Sequence, residues 1–187
     1  MVNKKTAFSI IITGGMLMLA SPIFAQDWNN SGAGESRWSG PYIGANVGVN
    51  DATFSGVSGN STYTSGLDAG YLANLNGPVV GIDGFVDFNP DKTHAPDVNF
   101  GSRVYGIDLT LGLDNGPLMP YAKVGYAQVH GTGALTGKGS GFHGGLGVEY
   151  MVYDNIGVDG QWTYDRANLD GGTLKNNNFT VGANLHF

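Results

Sequence analysis

The chain has 187 residues, a length that points to one domain. It holds 32 glycines, no cysteine, 13% charged residues and a formal net charge of −6, which excludes disulfides and argues against nucleic acid as a partner. Aromatic and β-branched residues are too frequent for a disordered chain, and beyond the N-terminus no apolar run reaches the ~20 residues of a membrane-spanning helix.

In chain order the first element is a pair of bases, Lys4 and Lys5, followed by an apolar run from Ala7 to Ala20 and by Ser21-Pro22-Ile23-Phe24-Ala25. Basic, apolar and small-residue stretches in that order predict a secretory signal peptide over 1–25, cut after Ala25. Losing its two lysines takes the charge from −6 to −8. Residues 26–38, rich in Gly, Ser and Asn, read as a flexible lead-in. Residues 39–187 read as the folded domain.

From Tyr42 onward the chain alternates with period two. Ile43, Ala45, Val47 and Val49 fall on one face, and Tyr42, Gly44, Asn46 and Gly48 on the other, because successive strand side chains point to opposite sides. Seven further segments repeat this, beginning near Leu67, Val79, Val104, Tyr121, Phe142, Ile156 and Asn178. Their charged residues, Asp68, Asp83, Asp87, Asp108, Lys123, Glu149 and Asp159, all take the small, polar face. A base facing lipid near the bilayer midplane costs roughly 2–4 kcal/mol, which accounts for its absence from the apolar face. A soluble sandwich would place many charges, and few glycines, on its outer face. The pattern therefore predicts an all-β, eight-stranded antiparallel up-and-down transmembrane β-barrel with the apolar face outward.

The connections agree. Asn76-Gly77-Pro78, Asp114-Asn115-Gly116-Pro117 and Tyr153-Asp154-Asn155 are short and carry turn signals. Between them lie four longer gaps, near 51–66, 89–103, 131–141 and 165–177. Strict alternation of short and long is the pattern of an outer-membrane barrel with short periplasmic turns and longer external loops. This places the protein in the outer membrane of a Gram-negative bacterium, reached through the periplasm. At the outer strand ends Phe88, Tyr105, Tyr126, Phe142, Trp162, Tyr164 and Phe179 share the lipid-facing parity and predict an interfacial aromatic girdle. Tyr150 and Phe187 fall at the inner rim, where Trp38 joins them from the lead-in.

Inside, six acids face Lys123 as the one base within a strand, with Arg103 and Arg166 reaching in from the outer rim. Interior glycines leave room for water. The expectation is a hydrated polar core without a passage; the alternative is a narrow, cation-leaning solute pore. His94 lies in the second long gap, His130 and His143 bracket the third, and His186 is expected inside near the periplasmic rim. No two have a recognised metal-ligand spacing, and His130-Gly131-Thr132 is a loop start before it is a base beside a nucleophile. No metal, cofactor or catalytic residue is expected, with a lipid-modifying enzyme as the remaining alternative.

Several stretches resemble one family. Trp38-Ser39-Gly40-Pro41-Tyr42-Ile43-Gly44-Ala45-Asn46-Val47-Gly48, Pro120-Tyr121 with Gly125, and Gly145-Leu146-Gly147-Val148-Glu149-Tyr150 resemble the first, fifth and sixth strands of small outer-membrane β-barrels, the opacity-like surface proteins among them. The last strand, with Phe179, Val181, Ala183, Leu185 and the final Phe187, resembles the terminal signal read by the barrel-assembly machinery. Gln161 stands where relatives often carry an acid. The resemblance implies a non-enzymatic surface protein serving envelope integrity and loop-mediated adhesion or host contact. Its implied partners are outer-membrane lipid and lipopolysaccharide, the assembly machinery and periplasmic chaperones during biogenesis, and a host surface receptor.

Overall fold

A computed structural model describes residues 36–54, 57–58, 61–94, 98–133, 137–169 and 172–187. The expected signal peptide and residues 26–35 of the lead-in lie outside the described residues. Among the described residues eight long antiparallel strands follow one another: β1 Gly40–Phe54, β2 Thr62–Asn74, β3 Pro78–His94, β4 Val98–Leu113, β5 Leu118–Gly133, β6 Lys138–Met151, β7 Ile156–Leu169 and β8 Gly172–His186. Val57 and Ser58 add a two-residue pairing onto the end of β1. Each strand pairs with the next, and β1 pairs with β8 from Tyr42↔His186 to Phe54↔Leu174, closing the barrel. Closure removes the sheet edges that lipid does not tolerate.

The register fixes the barrel's shape. Cα partners lead from Ile43 through Ala69, Gly84, Ile107, Tyr126, Phe142, Arg166 and Lys175 back to β1 at Thr53, ten residues beyond the start. With about 3.3 Å per residue and about 4.8 Å between strands, that stagger gives a tilt of about 40° and a radius of roughly 8 Å. Such an interior is filled by its own side chains.

Alternation carries through to exposure. Val47 and Val181 are 64% and 61% exposed on the outer wall, whereas Asp83, Asp108 and Glu149 are buried. The first turn shows why its sequence is Asn76-Gly77: both residues have positive φ, 63° and 124°, as a primed hairpin turn requires. Leu75 N–H donates to Pro78 O at 2.7 Å across it.

The long gaps differ from expectation. Most of residues 51–66, 89–103, 131–141 and 165–177 continue the strands rather than leaving them, with one irregularity in register between Asn89 and Lys92. The strands run 13–17 residues, longer than the ~9–11 that cross a bilayer. The polarity inverts in this extension. Inward positions become apolar (Val104, Val129, Ala167, Leu174) and outward ones polar (Arg103, Lys138, Arg166, Lys175).

Candidate functional site

The lumen is stratified. At the periplasmic end Trp38, Tyr42, Leu72, Val79, Met119, Tyr121 and Met151 form an apolar plug. At the outer end a second apolar cluster, including Phe100, Val104, Val129, Leu169 and Leu174, fills the interior. Between them lies the charged layer. Asp68, Asp83, Asp87, Asp108, Lys123, Glu149 and Asp159 all project inward: Asp83, Asp108, Glu149 and Asp159 are buried, and Asp68 and Asp87 line a small cavity with Lys123.

Asp83, Asp108, Glu149 and Asp159 each have a specific partner that the sequence did not suggest. Lys123 Nζ lies 3.3 Å from Asp83 Oδ2, and Thr110 Oγ1 donates to Asp83 Oδ1 at 2.8 Å. Lys123 Nζ also stands 5.6 Å from the centre of the Tyr121 ring. The Tyr121 hydroxyl donates to Asp159 Oδ2 at 3.0 Å. His186 Nε2 meets Glu149 Oε1 at 2.8 Å, its ring stacked on Tyr42 and met edge-on by Trp38. His143 Nδ1 sits 2.7 Å from Asp108 Oδ2, its Nε2 3.7 Å from Asp165 Oδ1 and its ring stacked on Phe85 at 4.2 Å. Beside Lys123, two histidines thus contact lumen acids.

Several expectations are corrected. His143, read from the sequence as bracketing the third long gap with His130, is instead buried in the lumen, while His130 stacks on Tyr105 at 5.4 Å. Strand parity separates them, since His143 shares its face with Glu149 and His130 its face with Tyr126. Arg103 and Arg166 are exposed on the outer wall and do not reach in. Trp38 is no rim aromatic. It is wholly buried, donating Nε1–H to Gly116 O at 3.0 Å, while Ser36 Oγ donates to Asp114 Oδ2 at 2.8 Å. The glycines do not leave open space for water either. A Cβ at Gly147 would strike the Tyr121 ring, one at Gly125 the Asp108 carboxylate and one at Gly182 Asp159. Glycine is required so that a large side chain from the neighbouring strand can lie across it. Two cavities between the described residues measure about 20 Å³ each, room for about one water apiece.

On the outer wall Phe88, Tyr126, Phe142, Trp162 and Phe179 are exposed, and Tyr105 and Tyr164 half-exposed, with Tyr105 donating its hydroxyl to Gln128 Oε1 at 2.9 Å. Each step to the next strand raises the level by about one and a quarter residues. The seven then fall within about 3 residues of one another in height, about 8 Å, and six of them within about 5 Å. Tyr150 and Phe187 lie roughly 20 Å below on the same reckoning. Of the terminal residues, Phe179, Val181, Ala183 and Phe187 are exposed on the wall and Leu185 partly so. Phe187 N–H donates to Pro41 O at 3.0 Å, at the seam. Among the described residues no group of three or more His, Asp or Glu is arranged to hold a metal ion.

A model of the outer membrane protein beta-barrel domain family matches residues 13–187. The chain belongs to that family. Membership places the protein in the Gram-negative outer membrane, its apolar wall against lipid. Among solved structures it is similar to neisserial surface protein A, at 20% identity and a TM-score of 0.66 over 80% of this chain and 98% of that one. It is also similar to Ail, the attachment invasion locus protein of Yersinia pestis, at 14% identity and a TM-score of 0.56 over 80% of this chain and 99% of that one. These likenesses extend the fold alone. A comparison with curated protein sequences finds no match.

Proposed function

We propose that this outer-membrane barrel is a non-enzymatic surface protein that acts through its external end, serving envelope integrity and adhesion or host contact. The observation that carries the reading is the closure of the lumen by an apolar cluster at each end. A continuous water path, which conduction needs, is opposed by that closure. A reactive base within the lumen would be sealed from any lipid substrate; His143, with its two acids, is 3% exposed, and no hydroxyl hydrogen-bonds to it among the described residues. The strands meanwhile continue about six residues past the aromatic band, so that their described outer ends stand roughly 15 Å beyond it. Attachment, which the name of Ail states for that protein, enters here as part of the proposal. Cells expressing the protein should adhere to host-cell monolayers, and shortening the connections at 55–60 and 134–136 should abolish this while a planar bilayer shows no unitary conductance. Adhesion unchanged by both deletions, or steady cation-selective current, overturns the reading.

A further inference from the structure

Bases in this acidic protein are distributed unevenly. Six Lys and Arg side chains are described: Arg37 at the periplasmic end, Lys123 in the lumen, and Arg103, Lys138, Arg166 and Lys175 on the outer wall. All four of the last are exposed, and none has an ion-pair partner within 4 Å among the described residues. They occupy β4, β6, β7 and β8. Direct cross-strand pairing sets Arg103 against His130, His130 against Lys138, and Arg166 against Lys175. Two basic patches thus stand side by side across the five consecutive strands β4 to β8, with Phe142 directly opposite Arg166. In height they begin just above the highest aromatic of the band and extend roughly 10 Å beyond it. At the edge of this patch β1, paired with β8, carries Asp51 outward two residues from Thr53, the partner of Lys175, and Ser61 Oγ already donates to Asp51. Cross-strand like charges are destabilising when nothing neutralises them. Gathering them here, while the acids of the same strands turn inward, is accounted for by a fixed array of anions at this height.

We infer that Arg103, Lys138, Arg166 and Lys175 form a binding surface for the phosphate groups of the outer-leaflet glycolipid, lipopolysaccharide. An aromatic girdle marks the headgroup level of a bilayer, and the phosphates of that glycolipid lie at the start of its polar region, the level these bases occupy. Arg contributes forked donors that fit two phosphate oxygens, and Lys a mobile point charge. The acyl chains of the same molecule run down the apolar wall beneath, across Phe142 and its neighbours, so one ligand satisfies both zones. A free anion would use only the upper one.

The test uses the folded protein in neutral micelles, titrated with bisphosphorylated lipid A, fully dephosphorylated lipid A, inorganic phosphate and a heparin fragment. Bisphosphorylated lipid A should bind and its dephosphorylated form should bind about tenfold or more weakly. Arg103→Gln with Lys138→Gln, and Arg166→Gln with Lys175→Gln, should each weaken lipid A binding roughly tenfold, and Arg37→Gln should leave it unchanged. Heat-dependent gel migration reports whether each variant is folded, and these exposed positions should leave it so. Equal affinity for the two lipids, unchanged affinity in both paired variants, or binding confined to heparin or inorganic phosphate overturns the inference.

Discussion

Lys123→Met tests whether the lumen is a set of specific pairs or a diffuse pool of charge. The ammonium is one-tenth exposed and lies 3.3 Å from the Asp83 carboxylate, which is itself fully enclosed. Methionine keeps the length and most of the volume of the stem, so packing beside Tyr121 changes little. What is lost is the counter-charge, leaving Asp83 with the neutral hydroxyls of Thr110 and Tyr42. Removing one member of a buried pair costs about 3–5 kcal/mol, because the remaining charge is desolvated without compensation. Urea unfolding in lipid vesicles, followed by Trp fluorescence and gel migration, should show the midpoint falling by about 1–5 M for a slope of about 1–3 kcal/mol per molar. Asp83→Asn alone should also destabilise, contrary to the relief of repulsion that a count of acids suggests. The double variant Asp83→Asn with Lys123→Met should lose about 1–3 kcal/mol less than the two single losses added. Additive losses, or a Lys123→Met barrel with an unshifted midpoint, would refute specific pairing.

Asp87 lines the same cavity as Asp68 and His143 but has no hydrogen-bond partner among the described residues. Asp87→Asn should therefore leave the urea midpoint unchanged or raise it, in contrast to Asp83→Asn. Gly147→Ala should displace the Tyr121 ring and with it the Asp159 hydrogen bond, costing about 1–3 kcal/mol as overpacking does and lowering the temperature at which the compact gel band is lost. Cysteines at Ser58 and Gly133 should label on intact cells and one at Asn155 only after the outer membrane is opened. Deleting Phe187 should slow insertion in a reconstituted assembly assay more than it lowers the stability of the finished barrel, since its side chain lies exposed on the outer wall and its backbone N–H donates to Pro41 O at the very end of the seam.

Much of this architecture is local and hence legible in the chain. Period two follows from strand geometry, so strand count, direction and the inward or outward sense of Asp68, Asp83 or Phe179 could be assigned one segment at a time. The outer extension was not legible for an equally local reason. Above the bilayer the outside must be polar and the inside apolar, so the phase of the pattern flips at residues such as Arg103-Val104 and Arg166-Ala167. A reader following one phase stops there and assigns a loop.

Partners across the lumen were decided only by closure. His143 meets Asp108 from 35 residues away and Trp38 meets Gly116 from 78. Alternation says that each points inward but not at what height. Height depends on the ten-residue stagger of the register around eight strands, a property of the closed sheet as a whole. That stagger sets which side chain crosses which glycine, which acid receives Lys123, and where the four outer bases stand relative to the aromatic band. The sequence by itself determined two faces and eight strands; the tertiary structure set their levels, because only a closed ring fixes how far each strand slides past the next.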